Sequence, residues 1–219
     1  AINVTDGAGA KSHMSALATA AILAQNDIEP ILQFTTRDRN RIAIQGDLLG
    51  GWALDIPNIL CLYGDEVKGG DQPDTKEVRD LDTIGILRTA HEIKTKKMYP
   101  SGRKINDAPE FFIGGADTPF KINNDFDGIN LVKKIEAGVE FFQTQYVFER
   151  DILKNYMLKL NDLNITDKAY FIIGLGVIKS AKSARWMNKN LFGINIPEEI
   201  INRIEQSNDE SLEGIKICI

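Results

Sequence analysis

The chain has 219 residues, 43% of them hydrophobic, which is enough to bury one substantial core. Its 26 Lys and Arg residues against 31 Asp and Glu residues give a net charge of −5 without a basic block, which excludes a protein built to bind nucleic acid. Cys61 and Cys218 form no CxxC pair and no apolar run approaches the ~20 residues of a membrane span, so we expect a soluble cytoplasmic protein without a disulfide framework.

Short apolar runs alternate with amphipathic segments along the chain, and this alternation predicts strands followed by helices. The predicted strands cover residues 1–4, 28–34, 58–62, 110–113, 140–144 and 170–173. The predicted helices lie near residues 14–21, 42–52, 129–139, 150–163 and 182–190. Asp38 is the expected N-cap of the second helix, His13 and His91 are expected within helices, and Pro197 is expected to open a last helix.

Strand starts recur at the ~30-residue length of a βα unit, except where polar loops at 63–79 and 98–109 widen one gap. A doubly wound open sheet and an eight-stranded barrel both fit this rhythm. The residues after the strands favour the barrel, because polar or glycine residues such as Thr5, Gln145 and Gly64 follow nearly every strand. We therefore predict an α/β fold, a single partial (β/α)8 TIM barrel spanning residues 1–219 with about six βα units.

The two ends of the chain are apolar, at residues 1–4 and 215–219, whereas natural termini are usually polar. This composition leads us to expect a chain that lacks both ends of its barrel.

Several motifs resemble known sites but lack a required residue. Residues 7–12 (GAGAKS) differ from a P-loop because Ala10 stands where the pattern needs glycine. The glycines of 174–176 begin a dinucleotide fingerprint that Lys179 breaks, and no histidine pair has metal-ligand spacing, so we predict no metal site. Considered alone, the pair Lys133 and Lys134 indicates a solvated helix face. Asp127, considered alone, is typical of an acidic residue in the first turn of a helix, where it complements the helix dipole.

An ordered set of blocks resembles the methylenetetrahydrofolate reductase family across almost the whole chain. No single block decides the matter, but their order and spacing are specific. The blocks are residues 3–6 (NVTD), 35–41 (TTRDRNR), 47–50 (DLLG), 58–65 (NILCLYGD), 70–73 (GDQP), 80–82 (DLD), 112–120 (FIGGADTPF), 133–138 (KKIEAG) and 142–145 (FQTQ).

This resemblance implies an FAD enzyme of one-carbon metabolism that reduces 5,10-methylenetetrahydrofolate to 5-methyltetrahydrofolate by ping-pong hydride transfer. FAD is expected in preference to FMN, with NAD(P)H or a partner redox subunit as electron donor, and the protein is expected to form an oligomer. Such chemistry depends on positioning more than on protein nucleophiles, which agrees with the lack of a catalytic triad in the sequence.

The resemblance also assigns roles to individual residues. Asp65 and Gln145 would be catalytic and would contact the folate, and Ser183 would add a substrate contact. The residues expected to bind FAD are Thr5, Gln33, Tyr63, Gly64, Asp65, Thr118, Asp127, Asn130, Lys133 and Lys134.

The sequence departs from the family pattern at several strand ends. Bacterial members have a flavin-contacting histidine where this chain has Gln33, and an arginine where it has Tyr63. Gly114 and Thr118 replace a tyrosine and a histidine of the fourth-strand loop, and the family's first-strand glutamate has no counterpart in this chain. These changes indicate a divergent branch.

Two other classes of protein compete with the reductase. One is a non-catalytic or electron-relay barrel subunit of a multi-subunit redox complex, whose clusters a partner would supply because this chain has no cysteine cluster. The other is an unrelated barrel enzyme such as an aldolase or a phosphate-sugar isomerase, which would need a strand-end lysine or a phosphate loop. No predicted strand ends in lysine, which counts against the second class.

Overall fold

Strands and helices alternate along the computed structural model of the chain, which describes residues 1–123 and 125–219. The elements are β1 (Ile2–Val4), α1 (Ala16–Gln25), β2 (Pro30–Thr35), α2 (Arg41–Ala53), β3 (Asn58–Leu62), α3 (Thr83–Lys96), β4 (Phe112–Asp117), α4 (Ile129–Glu136), β5 (Phe141–Tyr146), α5 (Arg150–Asp162), β6 (Tyr170–Gly174), α6 (Ala181–Asn190), α7 (Glu198–Glu205) and α8 (Glu210–Cys218). No helix in this described part of the chain is long and apolar enough to cross a bilayer.

The strands lie in one six-stranded sheet in the order in which they occur along the chain. Neighbouring strands from β1 to β4 are parallel, with Val4 opposite Leu32, and with Gln33 in register with Leu60 and Leu60 with Gly114. Parallel neighbours joined by helical crossovers are the repeating unit of a (β/α)8 barrel. The predicted fold class, an incomplete barrel of about six units, is confirmed.

The chain divides into two compact units, each with its own buried residues. The first unit comprises Ala1–Gly115 and Asn130–Phe141, and the second comprises Ala116–Ile129 and Phe142–Ile219. In the first, strand residues such as Leu32 and Ile59 are almost fully buried. In the second, α6 and α7 enclose an apolar cluster whose buried members are Ile178, Ala181, Ala184, Ile194, Ile196, Ile201 and Ile204.

All six predicted strands are confirmed, although β4 and β5 extend farther than the apolar runs indicated. β4 continues to Asp117 through Gly114 and Gly115, which are too small to register as an apolar run. The glycine at position 114 has a packing reason, because a Cβ there would lie 2.3 Å from the ring of Phe141. A close approach of an aromatic ring to the strand, and not strand propensity, explains Gly114.

The predicted start of α2 was wrong. Asn40, not Asp38, is the N-cap, since its Oδ1 accepts hydrogen bonds from the backbone N–H groups of Ile42 (3.1 Å) and Ala43 (3.0 Å). The carboxylate of Asp38 is occupied by the preceding side chain, Arg37. Ile42, expected at the start of the amphipathic helix 42–52, is 78% exposed, whereas Ile44 and Leu48 are fully buried and form the buried face of α2.

Three further helix predictions need correction. His13 and Met14 precede α1, which starts at Ala16 behind the N-cap Ser15, and Met14 is 61% exposed. α4 ends at Glu136, so Val139 is buried outside it. The helix that Pro197 opens is followed by α8 and is therefore not the last. The placement of His91 within a helix is confirmed.

The two cysteines differ in exposure and should differ in reactivity. Cys61 is fully buried in β3, and burial raises the pKa of its thiol to about 12. Because the thiolate is the nucleophile, we predict that native Cys61 does not react with a chromogenic thiol reagent, whereas the half-buried Cys218 does. Titration should count one thiol before denaturation and two after it. Two fast-reacting thiols in the native protein would contradict the buried position of Cys61.

Candidate functional site

The first unit brings several predicted site residues to one edge of its sheet. Thr5 follows β1, Gln33 lies in β2, and Tyr63 to Asp65 follow β3. Because these strands are adjacent and parallel, their carboxyl ends lie on the same edge, where barrel enzymes have their active sites. Thr5, Tyr63 and Asp65 are exposed there and Gln33 is half-buried, so this edge presents hydroxyl, amide, aromatic and carboxylate groups to a ligand.

Asp6 joins the ends of β1 and β2 immediately beside Thr5. Its Oδ2 accepts hydrogen bonds from the N–H and the hydroxyl of Thr35, both at 2.9 Å, and from Nη1 of Arg39 at 2.6 Å. Arg39 also donates from Nε to Asp47 of α2 at 2.8 Å. This charged network is largely shielded from solvent, so it holds the backbone that carries Thr5 in a fixed position.

Arg37 is a buried residue of this edge for which the sequence alone gave no role. It is 4% exposed, and its Nε and Nη2 donate to the two carboxylate oxygens of Asp38 at 2.8 and 2.7 Å. That bidentate bond raises the pKa of the Arg37 guanidinium above its ordinary value. The remaining nitrogen, Nη1, donates to the backbone oxygens of Gly7 (3.1 Å) and Asp65 (3.3 Å). Arg37 therefore connects the loop after β1 to the loop after β3.

Gly64 has a backbone conformation that requires glycine. Its φ is +87°, and a Cβ there would lie 3.0 Å from Cβ of Thr35 and 3.1 Å from Cβ of Arg37. A side chain would be strained by both the backbone angle and these neighbours. The predicted flavin contact at Gly64 thus falls where the chain turns tightly against β2.

The carboxylate of Asp65 is held by the backbone of another loop. The N–H of Gly9, after β1, donates to Oδ2 of Asp65 at 2.7 Å. The same two loops touch again nearby, because a Cβ at Gly70 would lie only 1.9 Å from the backbone oxygen of Ala10. The exposed carboxylate of Asp65 is therefore oriented at the strand end before any ligand arrives.

Helix α4 carries the predicted cofactor residues of the first unit that lie away from the strand ends. Asn130 and Lys134 are one helical turn apart and so lie on the same side of α4, with Lys133 next to them. Asn130 and Lys133 are exposed and Lys134 is half-buried. Asp127 belongs to the second unit and precedes α4, where its Oδ1 accepts a hydrogen bond from the N–H of Ile129 at 3.0 Å.

In the second unit, the amide of Gln145 is partly engaged by neighbouring backbone. Its Nε2 donates to the oxygen of Phe192 at 2.9 Å, and its Oε1 accepts from the N–H of Tyr146 at 2.9 Å. One N–H and one lone pair of the amide remain for a ligand. Gly193 packs beside the same strand ends, since a Cβ there would lie 2.7 Å from Cγ2 of Thr118.

A shallow groove of about 330 Å³ lies beside Gln145 within the second unit. It is lined by residues 118–121 after β4, residues 146–149 at and after β5, Ile152 of α5 and residues 193–195. The groove contains Thr118 and three aromatic side chains, Phe120, Tyr146 and Phe148. The lining also includes Lys121, Glu149 and Asn195, and aromatic side chains beside a few polar groups are common in small-molecule sites.

Thr118 is held through Asp117 by a buried tyrosine for which the sequence gives no signal. The hydroxyl of Tyr156 lies 3.0 and 3.1 Å from the two carboxylate oxygens of Asp117, and Oδ1 of Asp117 also accepts from the N–H of Thr118 at 2.8 Å. Tyr156 is 1% exposed, and burial together with the charge of Asp117 raises the pKa of its phenol well above the ordinary value. The Tyr156 hydroxyl is therefore a permanent donor that fixes the end of β4.

Ser183 has a local role at the start of α6. Its hydroxyl donates to the oxygen of Ser180 at 2.7 Å and accepts from the N–H of Ser180 at 3.1 Å, while Oγ of Ser180 accepts from the N–H of Ser183. The two serines form a reciprocal capping box. The predicted substrate contact of Ser183 would have to use the hydroxyl's one remaining lone pair.

The fold and the strand-end residues define a protein of the (β/α)8-barrel class whose candidate site lies at the carboxyl ends of the strands. A model of the family described as "Methylenetetrahydrofolate reductase" matches residues 1–219. The chain therefore belongs to the methylenetetrahydrofolate reductase family.

Two known proteins illustrate the similarity. A Caenorhabditis elegans protein named "Probable methylenetetrahydrofolate reductase (NADPH)" is 25% identical over 204 residues, which are 91% of this chain and 28% of that protein. A solved structure of an uncharacterized Clostridium thermocellum protein that binds two copies of 5-methyl-5,6,7,8-tetrahydrofolic acid aligns with a TM-score of 0.56 and 17% identity, over 90% of this chain and 62% of the other. This chain thus spans less than two thirds of either relative.

Proposed function

We propose that this protein is a flavin-dependent oxidoreductase that reduces 5,10-methylenetetrahydrofolate to 5-methyltetrahydrofolate through bound FAD. Its family membership supports the reaction, and the ligand of the Clostridium thermocellum structure is the product of that reaction. The observation that carries the proposal is Asp65, an exposed carboxylate held by Gly9 at the end of β3. It stands at the same sheet edge as Thr5 and Gln33, the polar residues expected beside a flavin ring.

The residues at this edge fit the flavin ring. The pyrimidine edge of a flavin presents both carbonyl oxygens and a ring N–H, so it needs donors and acceptors together. Thr5 and Gln33 can supply both. Oδ1 of Asn3 is a buried oxygen without a hydrogen-bond partner among the described residues. Because side chains two positions apart in a strand point to the same face, Asn3 and Thr5 lie on the same side of β1 extended to Thr5. Thr5, Gln33, Tyr63 and Gly64 would hold the ring, and Thr118, Asp127, Asn130, Lys133 and Lys134 would hold the rest of FAD.

When bound, the flavin would supply two-electron redox chemistry, which no side chain of the protein offers. The protein's own contribution is position and charge. Asp65 would present a fixed negative carboxylate to the reacting rings, and Gln145 would use its remaining N–H and lone pair to hydrogen-bond the pterin. We propose NAD(P)H or a partner redox subunit as the electron donor, with a ping-pong kinetic order.

A visible absorption spectrum of the purified protein, recorded before and after anaerobic addition of 5-methyltetrahydrofolate, tests this proposal. An oxidised flavin spectrum that bleaches on addition would support both the cofactor and the reaction, run in reverse. A bound flavin that stays oxidised would support the cofactor assignment and refute the folate reaction. A colourless protein that takes up no FAD would refute the reductase and favour the non-catalytic barrel subunit.

We predict that Lys134→Ala weakens FAD binding. A lysine beside a diphosphate makes a charge-assisted hydrogen bond, whose loss is worth about 1.5–3 kcal/mol, or roughly a 10- to 100-fold increase in Kd. The measurement is the FAD dissociation constant by fluorescence titration of the apoprotein. Lys154→Ala, which removes an exposed lysine of α5 outside the predicted site, is the matched control. An unchanged Kd for Lys134→Ala would show that α4 does not bind the diphosphate.

A further inference from the structure

Arg79 lies in the loop between β3 and α3, and its side chain binds three consecutive carbonyl groups. Nη1 donates to the oxygen of Tyr63 at 2.8 Å, and Nη2 lies 3.3 Å from the oxygen of Gly64 and 3.4 Å from that of Asp65. The planar fork of a guanidinium suits such a row of acceptors, which a single ammonium group cannot bind together. The side chain is only 13% exposed although its loop lies on the surface.

Two more contacts fix the orientation of this guanidinium. Its central carbon lies 3.8 Å from the centre of the Tyr63 ring, a cation–π contact at the strand end. Its Nε donates to Glu77, whose other oxygen accepts from the N–H of Val67 at 3.0 Å. These bonds, from Arg79 first and Val67 second, lower the pKa of the Glu77 carboxyl to about 2, so Glu77 stays ionised at neutral pH.

The backbone of Arg79 is itself unusual. Its φ is +40°, in the left-handed region that residues with a side chain rarely adopt. Such a conformation persists only where the surrounding structure holds it, and it is common at functional sites. A neighbouring backbone bond contributes here, because the N–H of Val78 donates to the oxygen of Arg37 at 2.7 Å. The strained position places the guanidinium against the Tyr63–Asp65 backbone.

We propose that Arg79 is a positioning residue that fixes the backbone of residues 63–65 and thereby aims the carboxylate of Asp65. Arg37 binds the same Asp65 carbonyl oxygen from the buried side, so the peptide is held between two guanidinium groups. The bond from the Gly9 N–H to Oδ2 of Asp65 reports the resulting orientation. The effect of this positioning on folate reduction rests on the proposed function. The positioning itself does not depend on that function.

The amide resonance of Gly9 in protein labelled with ¹⁵N-glycine tests the positioning directly. Asp65→Ala, which removes the acceptor, defines the shift expected when the bond to the carboxylate is lost. Arg79→Gly, compatible with the left-handed backbone, should move the Gly9 resonance in the same direction by most of that shift. Arg79→Lys, which keeps the charge and loses the fork, should do the same. Lys97→Gly is the control, since Lys97 also has a left-handed backbone (φ +53°) and an exposed side chain.

An unchanged Gly9 resonance in both folded Arg79 variants would overturn the proposal, as would an equal shift in Lys97→Gly. A catalytic readout separates this result from the proposed function. If the protein binds flavin and oxidises 5-methyltetrahydrofolate, Arg79→Lys should keep its flavin and lose roughly 10- to 100-fold in the rate of that step, as expected for a misplaced catalytic group. A protein without flavin would refute the reductase, and the Gly9 resonance would still decide the role of Arg79.

Discussion

Replacing Asp65 by Asn should slow the reduction of methylenetetrahydrofolate by about 100-fold, the typical cost of removing one fixed electrostatic contact at a reacting centre. Reduction of the flavin by the electron donor should change much less. Asn is nearly the same size and can still accept a hydrogen bond from the N–H of Gly9, so the loop should keep its shape. The variant therefore removes the negative charge that the proposed mechanism places beside the folate, while the hydrogen bond that holds the loop can remain.

Stopped-flow absorbance at the flavin band would measure the two half-reactions separately. Asp71→Asn is the matched control, because Oδ2 of Asp71 also accepts from the loop after β1, at the N–H of Ser12 (3.5 Å), but Asp71 lies outside the proposed site. Both half-reactions of this control should match those of the parent protein. Equal slowing of the two half-reactions in Asp65→Asn, or no slowing at all, would contradict the assigned role of Asp65.

Strand β3 could be predicted from the sequence because it is buried on both faces, whereas β6 is partly exposed. A strand buried on both faces is a nearly continuous apolar run, here Ile59–Leu62 after Asn58, and the prediction of residues 58–62 matched its limits. The choice of a barrel rested on polar residues after successive strands, and the order β1 to β6 confirms it. Prediction failed where packing, not hydrophobicity, determines the residue, as at Gly114 beneath the ring of Phe141.

The contacts within the candidate site were harder to predict because they join residues far apart in the chain. The N–H of Gly9 and the carboxylate of Asp65 are 56 positions apart, and no local pattern pairs them. Arg37 and Arg79 stand in family-like blocks or next to them, but a motif does not reveal which carbonyl oxygens a guanidinium binds. The prediction of the N-cap of α2 failed for a related reason. Asp38 and Asn40 are both good N-cap residues, but the side-chain bond to Arg37 occupies the carboxylate of Asp38.

The second unit depends on a close contact at Gly214 of α8. Gly214 is buried, and a Cβ there would lie 1.8 Å from the backbone oxygen of Ile178 and 2.8 Å from its carbonyl carbon. A backbone oxygen cannot rotate away as a side chain can, so α8 or the segment around Ile178 would have to move. Ile178 is 1% exposed and belongs to the apolar cluster of this unit, so any movement would disturb that cluster.

We therefore expect Gly214→Ala to lower the free energy of unfolding by about 3 kcal/mol, as overpacking of a rigid site does. Alanine favours helix over glycine by only about 0.5–1 kcal/mol, so the clash should outweigh that gain. Gly46→Ala is the control, because Gly46 is exposed in α2 and its added Cβ would meet no atom within 4 Å. It should be neutral or slightly stabilising.

Chemical denaturation followed by circular dichroism would measure both variants against the parent protein. A Gly214→Ala variant as stable as the parent would show that α8 does not pack on the backbone of residue 178. A large loss of stability confined to Gly214→Ala would support that packing.

This packing also bears on the candidate site, because the Phe192 oxygen that holds Gln145 and the capping box of Ser183 belong to the same compact unit. Under the proposed function, loss of α8 packing should then weaken folate binding as well as stability.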